Sequence, residues 1–188
     1  MELHTERLVL RELRETDWED ALAVDGDPEV VRFQSYDALT PELARRNVAK
    51  SIAAAAATPR VLFELAVTRR GEDRYLGRVG VHVTRPEHRE GTVWASLHRA
   101  EWHHGYAREA GRAVLTFAFE ELKLHRLAAD CDPRNVASAR LMEQLGFRRE
   151  GTLRQNWWLK GEWCDSALFG LLAAEWASSF GQAKDPER

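Results

Sequence analysis

The spacing of apolar residues changes abruptly after Leu97, and this change limits the folds open to the chain. Upstream, three segments alternate apolar with other residues and are separated by short polar turns: residues 61–68, 74–84 and 91–97. Downstream, the apolar residues from Ala107 to Leu122 recur every three or four positions. Alternation is typical of strands, and a three-to-four spacing is typical of an amphipathic helix. The segment therefore predicts a three-stranded meander that leads directly into a helix.

The flanking segments extend this pattern into a mixed α/β fold. Leu8 and Leu10 predict a short strand, and we expect a helix from Trp18 onward. Four more elements follow from caps, spacing and turn residues: a helix over 41–57 after Thr40, a strand over 125–130, a helix capped by Asn135, and a hairpin over 147–172 that turns at Lys160 and Gly161. We expect one domain over residues 1–180, built as a mixed sheet with helices on both faces, and a polar, disordered tail over 181–188.

Composition narrows the classes of partner. With 188 residues and a formal charge of −3, the chain suits one domain without the basic face that attracts nucleic acid or an anionic membrane. No apolar stretch is long enough for a transmembrane helix, and the N-terminus lacks a signal-peptide pattern. Cys131 and Cys164 show neither metal-ligand nor disulfide-framework spacing. We therefore expect a soluble, cytoplasmic protein without a metal site and without nucleic acid or membrane as a partner.

The turn before the predicted helix at residue 107 is the strongest candidate for a ligand site. Gly105 and Ala107 are small residues at the helix start, where backbone N–H groups have no helical partner and the helix dipole is positive. Such a turn can bind a phosphate group. It has neither the Lys-Ser/Thr pair of a Walker loop nor a GxGxxG dinucleotide pattern, and an ordinary strand-to-helix turn is the alternative interpretation.

The same turn, Trp102-His-His-Gly-Tyr-Ala107, resembles the cofactor-binding motif R/Q-x-x-G-x-G/A of the GNAT N-acetyltransferase superfamily. Further motifs resemble its ribosomal-protein alanine N-acetyltransferase branch over residues 5–176: Thr5-Glu-Arg-Leu-Val-Leu-Arg11 with Asp17, Asn135-x-x-Ser138, Leu145-Gly-Phe-x-x-Glu-Gly151, Gly161-x-x-x-Asp165 and Glu175-Trp176. Each motif is weak alone, but their order and spacing are specific. Two residues depart from the pattern, because Trp102 replaces a basic or amide residue and His103 stands where this branch commonly has glycine.

The resemblance implies a fold, a cofactor and a reaction. The sheet would be mostly antiparallel, with one parallel strand pair, residues 91–97 and 125–130, that splays apart to hold the pantetheine arm of acetyl-CoA. The acetyl group would pass directly from the thioester to an amine. The implied cofactor-binding residues lie at the first strand's end, in the turn and at the second helix: Ser96, Leu97, His103, His104, Gly105, Tyr106, Ala107, Arg108, Asn135 and Ser138.

Catalysis requires a proton donor for the leaving thiolate and a neutral amine. Ser138 can be the donor, although its place in the first turn of a helix capped by Asn135 also has a purely structural explanation. The general base is open among four residues, of which Glu150 is the catalytic candidate: Glu150, Glu162, Asp165 and His98. An α-amine, with a pKa of about 7.7 to 8.0 against about 10.4 for lysine, needs less help from a base. This difference favours a protein N-terminus or another low-pKa amine as acceptor.

Other functions are open, and the aromatic hairpin bears on the acceptor. The acceptor could be a small molecule such as an antibiotic or an amino acid, and a rival from another class is a regulatory module that binds acyl-CoA without turnover. The hairpin carries Trp157, Trp158 and Trp163. Adjacent strand residues point to opposite faces, so we expect one of Trp157 and Trp158 in the core and the other in an acceptor groove or a homodimer contact.

Overall fold

An eight-stranded mixed sheet forms the centre of the computed structural model, which describes residues 1–180. The strand order is β1-β2-β3-β4-β5-β6-β8-β7, and neighbouring strands are antiparallel except for β5 with β6. The strands are β1 Glu2–His4, β2 Leu8–Glu12, β3 Leu62–Arg69, β4 Tyr75–Arg85, β5 Glu90–Leu97, β6 Arg126–Cys131, β7 Arg148–Leu159 and β8 Glu162–Leu172. The expected α/β fold with a mostly antiparallel sheet is confirmed, whereas the predicted tail over 181–188 lies outside the described residues.

The helices connect these strands, and two of them begin at the predicted caps. They are α1 Trp18–Asp25, α2 Pro28–Val31, α3 Pro41–Ala55, α4 Tyr106–Thr116, α5 Val136–Gln144 and α6 Ala173–Phe180. The Leu43 N–H donates to Thr40 Oγ1 at 3.4 Å, which caps α3, and Asn135 caps α5. The short strand β1 and the last helix α6 were not predicted. Within residues 1–180, no helix is both long and apolar enough to cross a membrane.

Strand alternation sends side chains to two faces of the sheet, and each face has its own apolar core. The larger core packs against α4, α5 and α6 and includes Leu10, Val81 and Phe169. The smaller core packs against α1 and α3 and includes Val48 and Ala66. We name these two sides of the sheet the α4 face and the α1 face. The prediction that helices cover both faces is confirmed.

The parallel strands β5 and β6 pair over only part of their length. Their paired residues run from Glu90 with Arg126 to Thr92 with Ala128. Beyond this point β5 continues beside β4 as far as the pair of Leu97 with Gly77. Residues 93–97 of β5 therefore have a strand neighbour on one side and an opening on the other. We name this the β5–β6 opening; it matches the splayed strand pair that the resemblance implies.

The β7–β8 hairpin turns at the predicted residues but places its tryptophans differently. Lys160 and Gly161 have φ values of 49° and 87°, as a two-residue hairpin turn requires. The expectation that Trp157 or Trp158 packs into the core is wrong, because they are 48% and 59% exposed. The register of β7 shifts between Leu153 and Trp157, and the residues of β7 are mostly exposed. Strand alternation alone does not bury a side chain where no second layer covers the sheet.

Candidate active site

The turn between β5 and α4 has the backbone geometry of an anion site. Gly105 lies in the left-handed region with φ +79° and precedes the first residue of α4. Its carbonyl oxygen accepts the N–H of Glu109 at 3.0 Å, which starts the helical hydrogen bonds. The amides of residues 106–108 precede that bond and are free to bind a ligand. The predicted phosphate-binding turn therefore has free N–H groups at the positive end of a helix.

Arg7 and Trp102 hold this turn in place through hydrogen bonds. The Arg7 guanidinium donates to the His104 carbonyl oxygen at 3.0 Å and pairs with Glu109 at 2.7 Å. Burial opposes ionisation of Glu109, but hydrogen bonds from Thr5 and Arg7 outweigh it and lower the pKa of Glu109. The indole of Trp102 donates to the Leu97 carbonyl oxygen at 3.0 Å. Trp102 thus anchors the turn where the family motif has a basic or amide residue, and sequence reasoning gave Arg7 no role here.

An apolar pocket lies between β5, α4 and α5, on the α4 face. It borders the β5–β6 opening, and the helices approach closely there because a Cβ on Gly111 would lie 2.8 Å from Leu145 Cδ1. Its lining includes Val93, Ala95, Ala107, Val114, Leu141 and Met142. A flexible, mostly apolar arm suits this lining, and its far end would reach the turn at Gly105.

The start of α5 brings Asn135 and Ser138 to the end of β6. The Ser138 N–H donates to Asn135 Oδ1 at 3.1 Å, so the cap is formed as predicted. The Ser138 hydroxyl lies near the thiol of Cys131, the last residue of β6. Burial raises the pKa of this thiol, and the Ser138 hydroxyl opposes the rise. The side chain of Ser138 therefore lies beside the β5–β6 opening, on the face that carries the pocket.

Ser96 and Leu97 lie on the half of β5 that β6 leaves open, and their side chains point to opposite faces. Leu97 belongs to the core on the α4 face. The Ser96 hydroxyl lies 3.5 Å from Asp25 Oδ1 on the α1 face. Backbone amides in this half of β5 have no β6 partner within the opening. Those directed away from β4 are available to a group that enters there.

A buried polar network lies behind the opening on the α1 face. Arg78 binds Asp25 at 2.9 Å and Glu64 at 2.8 Å, and all three side chains are largely buried. The Tyr36 hydroxyl donates to Asp25 at 2.9 Å, and burial is the main cause that raises the pKa of Tyr36. This network fixes the segment after α1 against the sheet. The sequence pattern did not indicate it, because its members lie on α1, β3, β4 and the loop before α3.

The four candidate bases are engaged in local structure. Glu150 accepts two hydrogen bonds from Arg126, which lower the pKa of Glu150. Arg126 begins β6 at the paired end, about 13 Å along the strand from Asp130 at the open end. The structure therefore does not bring Glu150 to Ser138. The other three bind nearby groups: Glu162 pairs with Arg134, Asp165 accepts the Gln155 N–H, and His98 Nδ1 accepts the Ala100 N–H.

Comparisons with known proteins agree with this geometry. A family model described as an acetyltransferase (GNAT) domain matches residues 7–148. The uncharacterized N-acetyltransferase YnaD of Bacillus subtilis (strain 168) is 31% identical over 176 residues, which are 94% of this chain and 99% of that protein. The crystal structure of a GNAT-family acetyltransferase from Bacillus anthracis has a TM-score of 0.84 and 30% identity, and covers 93% of this chain and 99% of its own.

Similarity to the ribosomal-protein branch is more limited. The ribosomal protein uS5-alanine N-acetyltransferase of Escherichia coli (strain K12) is 31% identical over 72 residues, which are 38% of this chain and 37% of that enzyme. The family model and the full-length relative extend over far more of the chain. The chain therefore belongs to the GNAT acetyltransferase family and is an N-acetyltransferase that uses an acyl-CoA donor.

Proposed function

We propose that the protein transfers the acetyl group of acetyl-CoA directly to a low-pKa primary amine, with a protein N-terminus as the first choice of acceptor. The observation that carries this proposal is the β5–β6 opening, which joins an apolar pocket on the α4 face to a polar surface on the α1 face. A donor in the pocket and an acceptor on the polar face would meet in this opening. Transfer would then need no covalent intermediate on the protein.

The donor's parts match three features of the site. The pyrophosphate binds the amides of the turn from His103 to Arg108, and the pantetheine arm fills the apolar pocket. The acetyl group lies at the backbone of Ser96 and Leu97, on the side of β5 that β6 leaves open, where an N–H group suits a developing oxyanion. Asn135 and Ser138 are beside the sulfur. The position of Asn135 and Ser138 at the end of β6 supports their placement beside the sulfur.

Ser138 is the proposed donor to the departing thiolate. Its backbone N–H is already bound by Asn135, which leaves the hydroxyl free to exchange its Cys131 contact for the coenzyme sulfur. A thiolate with a pKa of roughly 8.5 leaves more readily when a hydroxyl donates to it. Glu150 has no part in this proposal, because Arg126 binds both of its carboxylate oxygens away from the opening.

An N-terminal amine is favoured over a lysine amine. At neutral pH an α-amine is partly neutral, whereas a lysine amine costs about 4 kcal/mol to deprotonate. The partial similarity to the uS5-alanine enzyme supports the same choice. Small-molecule amines and binding without turnover are the alternatives.

A thiol-release assay tests the proposal. Wild-type protein and acetyl-CoA are mixed with three amine classes side by side: peptides with different N-terminal residues, free amino acids, and aminoglycosides. We expect thiol release with at least one peptide, and acetylation of its α-amine by mass spectrometry. If amino acids or antibiotics are acetylated and no peptide is, the choice of a protein N-terminus as acceptor is overturned. Acetyl-CoA binding in calorimetry without turnover of any amine would favour the regulatory module.

A further inference from the structure

The β5–β6 opening has a carboxylate and an aromatic ring on its two sides. On the α1 face, Thr92 and Ala128 form the last parallel pair, and the next residues directed to that face are Trp94 on β5 and Asp130 on β6. The Trp94 ring lies over Gly80, where an added Cβ would be 2.3 Å from Trp94 Cζ2. Alternation confirms the direction of Asp130, because Ala129 and Cys131 belong to the core of the other face. The side chains of Asp130 and Trp94 are therefore directed to the α1 face at the opening, where Trp94 also contributes to the lining of the apolar pocket.

Asp130 is exposed, and within residues 1–180 its carboxylate has no hydrogen bond or ion pair. Nearby protein nevertheless removes enough water to raise the pKa of Asp130 above its ordinary value. The charged groups of neighbouring elements are bound elsewhere: Asp25 and Glu64 to Arg78, Asp132 and Glu162 to Arg134, Asp165 to the Gln155 N–H, and Lys160 to the Val31 carbonyl oxygen. The adjacent Cys131 thiol is buried on the other face. Asp130 is thus the carboxylate that remains available at the opening.

We propose that Asp130 binds the ammonium group of the acceptor and accepts its proton, with the Trp94 ring against the same amine. This inference rests on the proposed acetyl transfer and assigns its acceptor side. A carboxylate and an aromatic face both attract an ammonium group. A carboxylate with increased proton affinity is also a better base near neutral pH than an ordinary aspartate.

The proton and electron pairs balance along this route. The ammonium group first loses one proton to Asp130, which passes it to water. The freed nitrogen lone pair forms the C–N bond at the thioester carbon, and the C–S bond then breaks. After attack, the nitrogen loses its second proton to water. The sulfur receives one proton from the Ser138 hydroxyl, and solvent then reprotonates that hydroxyl. The products are an amide, the free thiol and one proton released to water.

Rates measured across a pH range test this role. The variants are Asp130→Asn, which keeps the shape but not the basicity, and Asp130→Glu, which keeps a carboxylate. Asp20→Asn is the control, because Asp20 is exposed on α1 and lies outside the site. Each protein is assayed with the peptide or other panel amine that wild type acetylates fastest, from pH 6 to pH 9.5. Calorimetry with acetyl-CoA and the melting temperature are measured in parallel.

We expect Asp130→Asn to lower kcat/KM at pH 7 by about 10²- to 10⁴-fold, without a change in acetyl-CoA affinity. The loss should shrink above pH 8, where an α-amine with a pKa of about 7.7 to 8.0 is already neutral in solution. Asp130→Glu should recover part of the rate at pH 7, and Asp20→Asn should match wild type. A loss of the same factor at every pH, or no loss, would overturn the role of Asp130 while leaving acetyl transfer intact. A wild type that acetylates no panel amine would overturn the proposed function and this inference together.

Discussion

At the scale of single residues, Ser138 has two roles: its backbone takes part in the cap of α5, and its hydroxyl is the proposed proton donor. Its backbone N–H completes the cap of α5, whereas its hydroxyl reaches Cys131 at the end of β6. The first contact uses only the backbone N–H of Ser138 and would persist with any residue except proline at this position. The second depends on the hydroxyl, so the two roles can be separated by substitution.

We predict that Ser138→Ala lowers kcat by roughly 10- to 100-fold, at or below the lower end of general-acid effects. Acetyl-CoA affinity and the melting temperature should change little, because alanine keeps the capping N–H. Steady-state kinetics and calorimetry measure the two effects separately. Ser178→Ala is a matched control, since it removes a hydroxyl that binds the Ala174 carbonyl oxygen within α6. Wild-type turnover in Ser138→Ala would leave Ser138 with its capping position alone.

At the scale of elements, the turn before α4 sets the proposed phosphate contact. Gly105→Val should weaken CoA binding by about 10- to 100-fold, which corresponds to the loss of one or two charge-assisted hydrogen bonds. Valine tolerates the φ of +79° poorly and covers the free amides. Gly71→Val is the control, because Gly71 has a similar φ of +85° with nothing within 4 Å of an added Cβ. Equal CoA affinity for the two folded variants, measured by calorimetry, would exclude the turn as the phosphate site.

The β7–β8 hairpin supplies a second comparison within one element. Trp157 is paired with Cys164, and alternation along β8 places Cys164 on the same face as Leu168 and Asp130. Trp158 is paired with Trp163 and points the other way, with ring centroids 5.4 Å apart. The register therefore puts Trp157, rather than Trp158, on the proposed acceptor side.

Trp157→Ala should raise the KM for a peptide acceptor several-fold and leave acetyl-CoA affinity unchanged. Trp158→Ala should leave both constants near wild type. Each substitution should change the free energy of unfolding by about 1 kcal/mol or less, because both side chains are exposed. Urea unfolding and kinetics on both variants check these expectations. If only Trp158→Ala raises KM, Trp158 rather than Trp157 lies on the acceptor side. If wild type sediments in a concentration-dependent way and either variant does not, that tryptophan forms a homodimer contact instead.

At the scale of the whole molecule, the two apolar cores share one sheet. Strands β3 and β4 contribute to both, since adjacent residues such as Leu65 and Ala66 belong to different cores. Neither core can lose its packing without disturbing the strands of the other. The chain should therefore unfold as one cooperative unit.

Urea unfolding followed by tryptophan fluorescence and by far-UV circular dichroism should give one coincident transition. Acetyl-CoA at 100 times its dissociation constant should shift that transition as a whole, by about 2.7 kcal/mol, if it binds only the folded state. Two separated transitions, or a ligand shift in one signal alone, would mean that the cores unfold independently.

The sequence by itself determined the local structure and the family. Periodicity located the strands of the meander and the helices. Thr40 and Asn135 marked two helix starts, while Gly105 marked the turn. These features depend on neighbouring residues in the chain, for which propensity and capping are sufficient. The turn motif and its companions then indicated an acetyl-CoA enzyme, and the family match agrees.

Only the tertiary structure decided which side chains meet at the β5–β6 opening. Strand order and register set that outcome, and local sequence encodes neither of them. Glu150 binds Arg126 at the paired end of the strands, whereas Asp130 faces the open end. Arg7 reaches the turn from about 100 positions away in the sequence, and all three tryptophans of the hairpin are exposed. Contacts of this kind depend on how distant elements pack together, so a local pattern can propose candidate residues without showing which of them share a site.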